Sequence, residues 1–326
     1  MVALRDLLRR KRALGGTAAV LLLAGLLQFV DANPAVSQTL LLNAYESPGD
    51  PGQDPASAEW QHAFPVQVPL TVQAGSYAAG GGSILFASAK ALHYKERLYV
   101  RIEWDDQTKD ESTTRVQDFS DAVAVEFPAK SASTVPSVCM GQANGGVNIW
   151  QWRADSQAGL KDPADVYSNS SIDGYPSKDT LFYTAREAGN PYAKADAGPV
   201  QTLIAQAFGT LTPSGTQDAS GKGVYANGKW AVVFSRPFAG KDPDQANFAA
   251  STRTDMAIAV WNGSEGDRNG RKSVSTFLTL SIANAAVPGT GGANTKYLFW
   301  GLGLLVAVTA IGAGLAAYGY REGRRM

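Results

Sequence analysis

Residues 83–104 read SILFASAKALHYKERLYVRIEW, and this stretch decides the fold class of the chain. It contains two runs that favour extended structure, residues 83–89 and 98–104, on either side of the polar residues 93–96. Aromatic and β-branched side chains are frequent in such runs when they form strands. We therefore predict two strands joined as a hairpin.

Similar short runs, apolar or alternating, recur along the chain and are separated by turn residues. They cover residues 66–72, 122–127, 147–152, 181–184, 230–234, 256–261 and 273–280. Pro69 lies in the first of them and indicates an edge strand, because proline cannot donate a hydrogen bond to a neighbouring strand. Many short strands with Gly-rich turns predict an all-β fold, a β-sandwich with long loops, over residues 58–283.

Four stretches depart from this strand pattern. Residues 200–208 (VQTLIAQAF) have helical periodicity. Residues 154–228 contain few large apolar side chains, so we expect long connections with little core of their own. Residues 38–57 and 284–296 are rich in Pro, Gly and Ala, and we interpret them as linkers on either side of the β domain.

The two ends of the chain resemble membrane-targeting segments. Residues 1–37 contain the basic cluster 9–12 followed by the apolar run 15–30, which is the order found in a signal peptide or signal anchor. Residues 297–320 are 24 residues without a charge, enough for one transmembrane helix. The basic tail 321–326 follows at once, and the positive-inside rule places it in the cytoplasm. We therefore expect an ectodomain on the extracytoplasmic side of the cytoplasmic membrane.

Composition excludes several classes of function. The 29 basic residues equal the 29 acidic ones, and because many of the bases lie at the two ends, the middle of the chain is acidic. This argues against a nucleic-acid partner, which needs a basic face. One cysteine and two histidines leave no internal disulfide, no cysteine-ligated zinc and no C-x-x-C-H for covalent haem. At Asp105-Asp106 two interpretations stay open, a calcium ligand pair or an acidic turn that ends a strand.

Two local strings are more specific. Residues 138–152 read VCMGQANGGVNIWQW and place Met140 in a Gly-rich turn before a strand with two tryptophans. Residues 259–275 read AVWNGSEGDRNGRKSVS and place Lys272 between a polar loop and the next strand. Together with residues 98–106 (LYVRIEWDD) and 118–128 (DFSDAVAVEFP), these strings resemble the b-haem γ subunits of ethylbenzene dehydrogenase and related exported molybdenum enzymes of the dimethyl-sulfoxide-reductase superfamily.

The resemblance covers roughly residues 58–282 and implies a β-sandwich around one non-covalent haem b. The positions that match the axial ligands of the haem iron are Met140 and Lys272. The implied role is electron transfer without catalysis in this chain, and the implied partners are an iron–sulfur β subunit and a molybdenum α subunit. The best-known members of this family are soluble periplasmic subunits, so the C-terminal span expected here is a departure. Candidate walls of the haem pocket are Trp104, Phe119, Trp150, Trp152 and Trp261.

The chemistry of these two residues agrees with that implication. Haem needs two axial donors and an apolar slot, and neither donor has to be histidine. Methionine sulfur is soft and favours ferrous iron, whereas lysine binds a metal only as the neutral amine. Six-coordinate iron has no open position for a substrate, which indicates electron transfer.

Two other interpretations remain open on the sequence. The same type of sandwich resembles carbohydrate-binding modules, in which exposed tryptophans stack on sugar rings, and such a protein would carry no haem. A protein that only tethers a partner to the membrane would bind neither haem nor ligand.

Overall fold

The computed structural model describes residues 40–73, 80–113, 115–130, 132, 134, 136–138, 140–159 and 198–286. The strands, in chain order, are β1 (Leu41–Glu46), β2 (Val66–Pro69), β3 (Thr71–Val72), β4 (Phe86–Tyr94), β5 (Arg97–Asp105), β6 (Ala122–Pro128), β7 (Val147–Arg153), β8 (Val200–Ala205), β9 (Thr212–Pro213), β10 (Ser220–Ala226), β11 (Lys229–Pro237), β12 (Arg253–Trp261), β13 (Ser273–Val274) and β14 (Leu278–Ala286). The helices among these described residues are short: α1 (Ala154–Ala158) and two 3₁₀ turns, Ala58–His62 and Gly263–Glu265. The all-β prediction is therefore confirmed for the described residues.

The strands form two sheets that share β12. The first sheet has the order β10-β11-β5-β4-β1-β14-β12, and the second has the order β3-β13-β12-β6-β7-β8-β9. The first half of β12 pairs with β14, and its second half pairs with β6. The inner faces of both sheets contribute to one apolar core, as in a sandwich.

The hairpin of residues 83–104 is confirmed. Strands β4 and β5 pair antiparallel from Tyr94↔Arg97 to Ser88↔Glu103. The turn is shorter than residues 93–96, because Lys95 adopts φ 53° and closes the hairpin within two residues. Strand β2, which contains Pro69, pairs with β4 and with no other described strand, so its edge position is confirmed.

The expectation of a linker at residues 38–57 is wrong for part of that range. Strand β1 lies inside the first sheet, parallel to both β14 and β4. Leu42 and Ala44 are fully buried in the core. The range was interpreted as a linker because residues 48–55 are rich in Pro and Gly, although the short apolar run 40–42 precedes them.

The helix expected at residues 200–208 is also wrong. Residues 200–205 form β8, because pairing with β7 satisfies the backbone and overrides a local helical period. The described residues of this range, 154–159 and 198–228, accordingly include three strands, β8, β9 and β10, and are not only connections. The sequence did not predict β10, because Gly223 stands where a strand usually has an apolar side chain. A Cβ at residue 223 would lie 2.3 Å from Cζ2 of Trp152. Because residue 223 has no side chain, the ring of Trp152 packs directly against the backbone of β10.

Several expectations fall on residues outside those that the structure describes. These are the N-terminal segment 1–37, the run 181–184, the linker beyond residue 286, the apolar segment 297–320 and the tail 321–326. Within the described part of the chain, no helix reaches the length and apolarity that crossing a bilayer requires.

Strand alternation in the second sheet gives it two different faces. Along β6, Val123, Val125 and Phe127 point into the core between the sheets. Ala122 and Ala124 belong instead to an apolar cluster on the opposite face. The second sheet thus has apolar side chains on both faces, and its outer face lines a cavity.

Candidate functional site

The candidate site is a cavity of about 550 Å³ on the outer face of the second sheet. Its floor is set by the strand register, which puts Ala259 beside Ala124 and Ala124 beside Gln151. Two more alanines of β6 and β12, Ala122 and Ala257, also line it. Small side chains keep this floor low, so the cavity can take a flat, largely apolar group. A volume of this size is typical of cofactor pockets.

Met140 reaches the cavity from the turn between β6 and β7. Its backbone has φ 73°, a conformation unusual for a residue with a side chain. The turn is tied together by the N–H of Gly141, which donates to the carbonyl of Ser137 at 2.8 Å. A β-bridge between Gln142 and Gly145 follows. The Met140 side chain packs against the apolar cluster of the outer face and lines the cavity.

Lys272 reaches the same cavity from the loop between β12 and β13. The loop is folded on itself: the side chain of Asn262 accepts from the N–H of Ser264, and the N–H of Asn262 donates to Asp267. A tight turn then brings Arg268 and Arg271 into a β-bridge. Lys272 is only 7% exposed, and its Nζ lies 4.8 Å from the ring centroid of Trp261.

Gly81 lies directly against the backbone of Lys272. Gly81 has φ 87°, and a Cβ at this position would lie 2.6 Å from the backbone nitrogen of Lys272. Gln73, which directly follows β3, donates its N–H to the carbonyl oxygen of Lys272 at 3.2 Å. The main chain of Lys272 is therefore fixed from two sides, and a side chain at residue 81 would displace it.

The structure brings Met140 and Lys272 together although they are far apart in the sequence. Both side chains line one cavity over the alanine floor. Phe119 and Trp261 line it as well.

Three of the expected pocket walls are elsewhere. Trp104, Trp150 and Trp152 are fully buried between the two sheets. The reason is strand alternation: on β7 the tryptophans point inward, and Ile149 and Gln151 point to the cavity. Trp152 instead packs edge-on against Trp230, with ring centroids 4.9 Å apart.

Sequence reasoning missed Glu126, which lines the cavity and is almost fully buried. Its Oε1 has no hydrogen-bond partner among the described residues. Burial raises the pKa of Glu126 to about 8, and the positive charge of Lys272 opposes this rise. The signal was visible in the sequence, because a glutamate interrupts the apolar run of β6 at a position that faces outward.

Asp267 also lines the cavity and is buried. Burial raises the pKa of its carboxyl group, and the hydrogen bond from the N–H of Asn262 opposes this. Asp267 shapes the loop that carries Lys272.

The remaining polar candidates do not belong to the cavity. Nε2 of His93 lies 2.6 Å from the carbonyl oxygen of Ala283, and neither His93 nor His62 lines the cavity. Asp105 pairs with Lys229, and Asp106 accepts from the N–H of Thr108, so these two acids form the turn that ends β5. Among the described residues no group of three acidic, histidine or cysteine side chains could hold a metal ion. Cys139 lies outside the described residues.

The donor set of the cavity fits haem better than it fits a bare metal ion. A thioether and an amine line a space with an alanine floor and aromatic sides, and such donors can serve as axial ligands of a flat iron porphyrin. Hard cations such as calcium would need several oxygen ligands instead.

Comparisons with known proteins show which family the chain resembles. The chain is 29% identical over 252 residues to the putative respiratory nitrate reductase heme subunit ORF7 of Haloferax mediterranei, covering 77% of this chain and 74% of that protein. It is 28% identical over 229 residues to chlorate reductase subunit gamma of Ideonella dechloratans, covering 69% and 77%.

A solved carbohydrate-binding module of family 9 from Caldicellulosiruptor kristjanssonii, in complex with glucose, covers 76% of this chain and 97% of its own. It is similar with a TM-score of 0.39 and 8% identity, too distant to bear on the ligand.

The family model described as "Ethylbenzene dehydrogenase" matches residues 57–273, which include β2 to β12, both ligand candidates and the whole cavity floor. The chain therefore belongs to the ethylbenzene dehydrogenase family and is similar to the γ subunits of reductase complexes.

Proposed function

We propose that this chain is an electron-transfer subunit that carries one non-covalent haem b in the cavity of the second sheet. The observation that carries the proposal is the convergence of Met140 and Lys272 on one cavity with a low alanine floor. The relative from Haloferax mediterranei is named a heme subunit, which supports the same cofactor.

The residues of the chain would hold the group in a defined way. The thioether of Met140 would be one axial donor, and the amine of Lys272 would be the other once it has lost its proton. When bound, haem b supplies a one-electron couple. Ala124 and Ala259 would leave room for the flat ring.

With two protein ligands the site has no open position for a substrate, so catalysis would belong to other subunits. One relative is named a γ subunit of chlorate reductase, which supports a multi-subunit complex. The expected partners are an iron–sulfur β subunit and a molybdenum α subunit of an exported oxidoreductase, with this chain passing electrons to or from an external redox partner.

Carbon monoxide tests the electron-transfer role. The purified full chain, reduced with dithionite, should be oxidised and reduced reversibly and should not bind carbon monoxide, because both axial positions are filled. Rapid formation of a ferrous carbon monoxide adduct in the wild-type chain would instead indicate an open, reactive iron.

We further propose that the ectodomain is held at the outer face of the cytoplasmic membrane by one C-terminal span, residues 297–320. The uncharged run and the basic tail after it motivate this proposal. The full chain should stay in membranes after an alkaline carbonate wash, and a chain ending at residue 290 should be released. Retention of the shortened chain in the membrane would contradict a single C-terminal anchor.

The carbohydrate-binding alternative loses its main support. That interpretation expected exposed tryptophans that stack on sugar rings, but every tryptophan among the described residues is buried. The expected stacking platform is therefore not found in that part of the chain.

A further inference from the structure

One end of the cavity is basic. Strand register places Trp261, Ala122 and Arg153 side by side, where β12 ends, β6 begins and β7 ends. Phe119, just before β6, lies at this end as well, and the guanidinium of Arg268 lies 4.6 Å from the centroid of its ring. All five residues line the cavity.

The two arginines at this end differ in their partners. Arg153 already has a carboxylate: its Nε and Nη2 donate to Asp155 at 3.0 and 2.5 Å. Arg268 donates from Nη1 to the carbonyl of Gly266 at 2.8 Å, and no ion pair of Arg268 occurs among the described residues. No ion-pair partner among the described residues therefore neutralises Arg268, and its guanidinium lies against the ring of Phe119 in a cation–π contact.

The opposite rim is apolar. Phe208 and Leu211 line the cavity although they are 47% and 43% exposed. A group that fills the cavity should therefore be amphipathic, with its charged edge at Arg268 and its apolar edge at Phe208.

We infer that Arg268, supported by Phe119, is the anchor for a propionate carboxylate of the bound haem. This inference rests on the proposed function, since it concerns how the same cavity orients its haem. Arg268 would pair with the carboxylate through Nε and Nη2, which makes the interaction charge-assisted. Arg268 then acts as a positioning residue and not as an iron ligand.

Binding of haem b can be compared with binding of its dimethyl ester, in which both propionates are neutral. This comparison distinguishes anchoring by Arg268 from a purely structural role of that residue. The full chain in detergent would be titrated with each porphyrin, for the wild type, Arg268→Gln, Arg268→Lys and Arg153→Gln. We expect Arg268→Gln to weaken haem b binding on the order of tenfold and to leave ester binding unchanged. Arg268→Lys should recover part of the loss, and Arg153→Gln should have the smaller effect because Asp155 already neutralises Arg153.

The outcomes distinguish this inference from the function on which it rests. In one contrary result, the wild type binds haem b while Arg268→Gln weakens binding of the ester as much as binding of haem b. In another, the wild type binds haem b while Arg153→Gln weakens haem b binding as much as Arg268→Gln does. Either result overturns the anchoring role of Arg268 but leaves the haem site in place. If the wild type binds neither porphyrin, both are overturned. Arg268 is exposed, so the Arg268→Lys variant provides a folded comparison should Arg268→Gln be unstable.

Discussion

Replacing Lys272 with alanine is expected to turn a six-coordinate low-spin haem into a five-coordinate high-spin one. The variant should then bind carbon monoxide in the ferrous state, and its affinity for haem should fall by at least about tenfold. The reason is that the buried amine faces the cavity, and no other described lysine lines it. Absorption spectra of the ferric, ferrous and carbon monoxide forms measure the effect.

Matched variants separate ligation from general damage. Lys222→Ala removes an exposed lysine from β10 and should leave the spectra unchanged. Met140→Leu keeps the volume but removes the thioether, so it should also give a high-spin form, whereas Met256→Leu in the core should not. A low-spin spectrum in both Lys272→Ala and Met140→Leu would contradict the assigned ligands.

Replacing Asp121 with alanine is expected to lower the free energy of unfolding by about 3–5 kcal/mol. The carboxylate of Asp121 is completely buried and accepts three hydrogen bonds. The donors are the N–H of Asp110 at 2.7 Å, Nε1 of Trp230 at 2.9 Å and the N–H of Gly263 at 2.9 Å. The substitution would leave all three buried donors unpaired, and it would loosen the loop that leads to Lys272.

Urea unfolding followed by tryptophan fluorescence measures this loss. The control is Asp105→Ala, because Asp105 is a surface residue whose side chain is 75% exposed and pairs with Lys229. An exposed pair of this kind contributes about 0–1 kcal/mol. Equal losses in the two variants would show that the three hydrogen bonds of Asp121 do not hold the loops together.

Local sequence signals predicted the hairpin of β4 and β5 well. Its alternating strands and its short polar turn are determined within about twenty residues of sequence. Strands β6, β7 and β12 were equally visible as aromatic or β-branched runs. Strand β8 was not, because its apolar spacing also fits a helix and only pairing with β7 decides between the two.

Strands β1 and β10 were not predicted, because both depend on long-range packing. Strand β1 is short and parallel to both neighbours, so no hairpin turn marks it. In β10 the glycine at 223 makes room for Trp152, and this leaves a strand with few apolar side chains.

The site was predictable in part. The two strings around Met140 and Lys272 identified the ligand candidates through their resemblance to a family, and spacing alone could not have paired them. The aromatic walls were predicted poorly, because a tryptophan in a strand can face either side of the sheet. Neighbouring Ile149 and Gln151, less conspicuous in the sequence, are the residues of β7 that face the cavity.

Haem content with a reduced-minus-oxidised spectrum of the purified full chain tests the central claim most directly. The account predicts close to one haem per chain, extractable with acid acetone because it is not covalently attached, and a low-spin b-type spectrum in both oxidation states. A well-folded chain that stays colourless after haem is supplied would contradict it.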